Sequence, residues 1–78
     1  MNYRYLLICE NYIDDDIIFV SYGIAVSVCY DGCTVILETF NNLCEKYDTV
    51  KQLVDLCNKE HLDIVHLPDV INDFMAVN

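Results

Sequence analysis

Positive charge is scarce in this sequence. Four Lys and Arg stand against thirteen Asp and Glu, a formal net charge of −9 at neutral pH. Gripping a phosphate backbone takes clustered bases, and Arg4, Lys46, Lys51 and Lys59 are scattered along the chain. Direct binding to DNA, RNA or an anionic membrane is therefore not expected, and a charged partner should be basic. Glycine is also scarce. Gly23 and Gly32 are the only two, too few for a phosphate-cradling loop, and the chain carries no nucleophile elbow. Neither a cofactor nor an enzymatic activity is expected. Long apolar runs are missing as well: after Met1-Asn2-Tyr3-Arg4 the unbroken apolar stretch is four residues or so, well short of a signal peptide core or a membrane span.

Cysteine is plentiful instead, at Cys9, Cys29, Cys33, Cys44 and Cys57. An odd count, with each cysteine embedded in an apolar pattern, argues for small core residues in a reducing cytoplasm rather than a secreted disulfide scaffold. The 78 residues make a single domain, and 55% of them are apolar, with a mean hydropathy of +0.29. A chain this short buries only about 60–65% of its unfolded surface, so such composition leaves surplus apolar surface that a homodimer could cover.

The patterning predicts α+β: a three-stranded antiparallel β-meander followed by two helices packed on one face. Tyr3 to Glu10 alternates as a strand, with Tyr3, Tyr5, Leu7 and Cys9 on one face. Glu10 to Asp16 holds four acids and no base and is expected to be a connecting loop. Ile17 to Tyr30 is a long β-branched strand, bent or bulged near Gly23. Asp31-Gly32 is a strong signal for a two-residue hairpin turn. That turn pairs Tyr30 with Cys33, Cys29 with Thr34, Val28 with Val35 and Ser27 with Ile36. The same register continues through Val26 with Leu37, Ala25 with Glu38 and Ile24 with Thr39. Asn41 to Asp48 is expected as a polar connection, and Thr49-Val50-Lys51-Gln52 as a capping box. The helix after it places Val50, Leu53, Val54 and Cys57 on one stripe and ends near Asn58 to Glu60. Leu62 to His66 is a short, partly extended link. Pro68 opens a last helix with Val70, Ile71 and Phe74 facing inward.

Several segments resemble one family of small proteins of clostridial and other low-GC Gram-positive bacteria and their mobile elements, a domain of unknown function. They are Ser21-Tyr22-Gly23-Ile24-Ala25-Val26, Val54-Asp55-Leu56-Cys57-Asn58, and Leu62 to Phe74 with its His-Leu-x-Asp-Val-x-x-Asp-Phe pattern. The stretch Asn41 to Asp48 departs from the family's form. The resemblance implies a small bacterial or phage-borne cytosolic protein and carries no activity with it.

Other groupings have plainer readings. His66, Asp69 and Asp73 could form a catalytic or metal site, but a histidine and acids at a helix start are ordinary capping and dipole partners. Cys57 and His61 share a helix face at zinc-ligand spacing, yet Cys57 also falls on the apolar stripe. Asp14-Asp15-Asp16 lacks the ligand spacing of a calcium loop. The tyrosines beside it, Tyr3, Tyr5 and Tyr12, suit either a binding surface or a half-buried sheet.

Charge distribution is the main functional signal. Glu10, Asp14, Asp15 and Asp16 form one base-free cluster; Glu60, Asp63, Asp69 and Asp73 form a second. With Tyr12 these are the candidate partner-binding residues. The expected function is a non-enzymatic interaction module that regulates or inhibits a basic or nucleic-acid-binding protein. Its sharpest form is an anti-CRISPR-like inhibitor whose acids imitate DNA phosphates. The alternative is a homodimeric structural or regulatory adaptor, and a small zinc or redox protein is the remaining reading.

Overall fold

A computed structural model of the protein describes residues 2–77. Strands β1 (Tyr3–Asp14), β2 (Ile17–Tyr30) and β3 (Cys33–Cys44) form one antiparallel sheet in the order β1-β2-β3. Helix α1 (Tyr47–Lys59), a 3-10 turn (Ile64–His66) and helix α2 (Leu67–Val77) follow. The expected three strands and two helices are present.

Both hairpins close on two residues with positive φ. Asp31 at 51° and Gly32 at 77° make the turn the sequence announces. The other differs from expectation. Instead of a loop from Glu10 to Asp16, β1 runs on to Asp14, pairs with Ile17, and turns through Asp15 and Asp16 at φ 50° and 63°. Aspartate tolerates the left-handed region better than most side chains, which lets an Asp-Asp pair close the hairpin without glycine.

The β2–β3 register is as expected from Tyr30–Cys33 to Ser27–Ile36 and then slips. Leu37 is bulged out, so Val26 faces Glu38, Ala25 faces Thr39 and Ile24 faces Phe40. A second irregularity between Tyr22 and Ile24 brings Cys44 opposite Tyr22. Here Gly23 is required: a Cβ would run into the Phe40 carbonyl oxygen. The bend expected near that glycine is thus a bulge of its neighbour strand.

Tyr5, Ile24 and Val26 supply the sheet's part of the core, and Val50, Leu53, Val54 and Cys57 supply the α1 stripe. Leu67 and Ile71 add α2. Two local expectations are corrected. The Asn41–Asp48 connection is largely strand and helix, because α1 starts at Tyr47, whose ring meets Tyr22 edge-on at 5.5 Å. Packing of Tyr47 moves the N-cap back to Lys46, which makes no side-chain cap, so the Thr49 capping box does not form. The Leu62–His66 link is extended in part, as expected, at Asp63 (φ −75°, ψ 139°), and then holds the 3-10 turn, capped by Asp63 accepting from the Val65 N–H at 3.1 Å.

Tyr5 ties the layers together. Its hydroxyl donates to the Leu62 carbonyl at 2.6 Å, its N–H donates to the Asn58 side-chain oxygen at 2.8 Å, and its carbonyl accepts from the Asn58 amide at 2.9 Å. Burial pushes the phenol up to about 12, with Cys57, Asp63 and Tyr3 adding to the effect.

Candidate functional site

The helices cover the sheet only as far as Leu7 and Tyr22, where Tyr47 packs. Beyond that the β1–β2 ribbon continues alone, since β3 stops at Cys44 opposite Tyr22. Residues 11–20 thus form an arm. The molecule measures 43 × 30 × 18 Å with a radius of gyration of 13.4 Å, against about 11–12 Å for a compact domain of this length.

The arm is apolar where it is most exposed. Ile13, Ile17 and Ile18 are 71, 57 and 67% accessible, and Tyr12 and Val20 are exposed too. Tyr12 stacks on Phe19 across the ribbon, ring centres 5.3 Å apart and planes at 16°, a cross-strand aromatic contact that stiffens it. A two-stranded ribbon is marginal in water by itself, and large apolar residues in water at its end mark an interaction surface.

The first acidic cluster sits on this arm. Glu10, Tyr12 and Asp14 project from one face of β1, by strand alternation, and Asp15 and Asp16 form the tip. The structure therefore brings Glu10, Tyr12, Asp14, Asp15 and Asp16 together. What the sequence did not single out is the apolar half, Ile13, Ile17, Ile18, Phe19 and Val20. Its signal was present as the unbroken apolar run Ile17-Ile18-Phe19-Val20 directly after the three aspartates.

The second cluster is not one patch on one element. Glu60 is the C-cap of α1, Asp63 caps the 3-10 turn, and Asp69 and Asp73 stand exposed along α2. Asp63 and Asp69 have structural work at helix starts. His66 is exposed and ends the 3-10 turn. Cys57 is a core residue, 2% accessible, its thiol pushed up by burial, whereas His61 is exposed with φ 50° just past α1. Among the described residues no three His, Cys, Asp or Glu side chains gather as metal ligands, and no helix is long and apolar enough to cross a membrane.

At the far end of the sheet lies a shallow concavity of about 700 Å³ between the start of β1 and the end of α1. Arg4, Leu6, Ser27, Asn58 and His61 line it, and no acid among the described residues does.

The model of a family of unknown function, DUF6514, matches residues 1–77, all but the last residue of the chain. The chain is a member of the DUF6514 family. No curated protein and no solved structure matches it. For this DUF6514 member the functional reading rests on its own surface: a small body bearing an apolar arm with an acidic tip.

Proposed function

We propose that this protein acts without catalysis, by binding a protein partner through the arm and so regulating or inhibiting it. The observation that carries this is the coincidence, on one projecting ribbon, of Ile13, Ile17 and Ile18 in water with Asp14, Asp15 and Asp16 at the tip. Apolar contact provides affinity, and charge provides orientation and speed of encounter. The complementary surface is an apolar groove with a basic rim.

Basic grooves are typical of proteins that handle nucleic acids, so the sharpest form of the reading is an inhibitor of such a protein, occupying the groove with acids in place of phosphates. A bacterial cytoplasmic setting, with spread by phage or other mobile elements, fits this role; what supports it is the resemblance of Ser21 to Val26, Val54 to Asn58 and Leu62 to Phe74 to small proteins of clostridial bacteria. The acids of α2, Asp69 and Asp73, extend the negative surface away from the arm and serve long-range attraction.

Comparative capture tests it. The wild-type chain, an arm variant with Asp14→Lys and Asp16→Lys, and an α2 variant with Asp69→Lys and Asp73→Lys are immobilised side by side at low and high salt. A partner held by the wild type, lost by the arm variant and weakened by salt is the expected result. Equal recovery on all three proteins removes the arm as the binding site.

A further inference from the structure

The two faces of the arm are not equivalent. On the sheet proper, Tyr5 and Leu7 of β1 and Tyr22 and Ile24 of β2 pack toward the helices. Strand alternation carries that same face outward through Cys9, Asn11 and Ile13 on one strand and Val20 and Ile18 on the other. Tyr12, Phe19 and Ile17 lie on the opposite face, where Tyr12 and Phe19 cover each other. On the helix side Cys9 is already exposed. Ile13 and Ile18, paired across the ribbon, are 71 and 67% accessible, and Val20 is 39% accessible. Helix α1 runs over the sheet from Tyr47, which meets Tyr22, to Asn58, which meets Tyr5. Its first turn therefore ends the helix layer beside an open apolar floor, and the half-exposed ring of Tyr47 is the wall of a notch.

The notch has the dimensions of one helix. From Cys9 to Asp14 the ribbon is about 17 Å long at roughly 3.4 Å per residue, the length of about eleven helical residues. Two strands are wide enough to seat a single helix, about 10 Å across. An extended segment laid on this face would leave its backbone groups without partners, whereas a helix arrives with its own already paired. Charge fixes the kind of helix. Asp14, Asp15 and Asp16 stand at the outer end of the floor; Glu45 and Asp48, both exposed, stand at the inner end beside Tyr47, with Lys46 the one base between them. This chain's own helices do not fit. Both α1 and α2 bury their apolar stripes in the core, and α2 carries Asp69 and Asp73 and no base.

We infer that the helix-side face of the arm seats a basic amphipathic helix of the protein partner, with its apolar stripe on Ile13, Ile18 and Val20 and its Lys or Arg residues toward the acids at either end. The inference rests on the arm being the binding element, as proposed above, and deepens it. The basic surface that the arm recognises is helical, and it meets one face of the ribbon, leaving Glu10, Tyr12 and Phe19 outside the contact.

A peptide of about fourteen residues, with leucines at helical spacing and lysines between them, serves as the probe, and a shuffled peptide of the same composition as its control. Fluorescence anisotropy of the labelled peptides against the full chain is expected to show binding of the first, weakened by salt, and about tenfold or more weaker binding of the second. Ile18→Lys and Ile17→Lys add the same charge at neighbouring exposed positions on opposite faces. Ile18→Lys is expected to weaken binding about tenfold or more, and Ile17→Lys less than about threefold. Should Ile18→Lys lose the ribbon by circular dichroism, the isoleucine methyl signals of the wild type decide: those of Ile13 and Ile18 are expected to shift with peptide, and those of Ile17 and Ile36 to stay.

No binding of the first peptide, equal binding of the shuffled one, equal losses from the two lysine changes, or methyl shifts at Ile17 alone overturn the inference. So does a wild-type chain that pairs with itself in sedimentation equilibrium and comes apart with Ile18→Lys, which gives the face to a second copy. A protein captured by the wild type and by Ile18→Lys alike, but lost with Asp14→Lys and Asp16→Lys, overturns the inference while the arm reading stands. Capture unaffected by any of these changes removes both.

Discussion

The Asn58 side chain takes the place of a neighbouring strand beside Tyr5: its oxygen accepts from the Tyr5 N–H at 2.8 Å and its amide donates to the Tyr5 carbonyl at 2.9 Å. One helix residue thereby closes one rung of a sheet edge and anchors α1 to β1 across 53 positions of sequence. Replacing it tests that double role. Asn58→Ala strands two backbone groups in a partly buried site, and stability to urea should fall by about 2–4 kcal/mol, since an unmet buried group costs about 1–3 kcal/mol. Asn58→Asp keeps the acceptor and loses the donor, and its loss should be about half as large.

The buried phenol of Tyr5 makes stability sensitive to alkali. Its folded pKa of about 12 lies above the ordinary 10.0, so the folded state holds the proton more tightly. Its contribution is complete below pH 10 and disappears as pH rises from 10 to 12. Urea midpoints of the wild type should decline through that window. Tyr5→Phe lacks the bond to Leu62 and starts about 1 kcal/mol less stable, but should show a flatter decline.

At Gly23 the obstacle is backbone. Gly23→Ala places a methyl against the Phe40 carbonyl, which no side-chain rotation relieves. The variant should lose more than the ~0.5–1 kcal/mol that a change in backbone freedom alone involves. Amide exchange should speed up from Phe40 to Cys44, where the bulge sits. Unaltered exchange there would show that the bulge does not depend on the glycine.

Asp16 offers the opposite sign. Its φ of 63° suits glycine, and Asp16→Gly should stabilise the arm by about 0.4–1 kcal/mol, seen as slower exchange at Ile13 and Ile18. A faster exchange would mean that the acid holds the turn through contacts beyond its backbone.

The parts of this structure legible in the sequence are those set by short-range chemistry. Asp31-Gly32 dictates its turn and the first four rungs that follow, and the Val50, Leu53, Val54, Cys57 stripe lies where helical spacing puts it. What stayed hidden depends on distant partners. The second bulge, between Phe40 and Cys44, answers to close approach at Gly23, and the start of α1 answers to Tyr22 holding Tyr47 rather than to Thr49. The arm was hidden for a local reason: Asp15-Asp16 lacks the glycine that announces such a turn, so three aspartates resembled a solvated loop. The acids of the candidate site were visible as charge, but their apolar companions became meaningful only once the helices were seen to stop short of them.

Binding of a protein partner through the arm is most directly tested by quantitative capture at low salt, comparing the wild type with a variant in which only the arm's apolar tip is changed, Ile13→Ser and Ile18→Ser. These residues are exposed, so the fold should survive, as circular dichroism would confirm. A protein retained by the wild type and lost with those two changes is the predicted result. Full retention by the variant, or no protein retained by either, would contradict it.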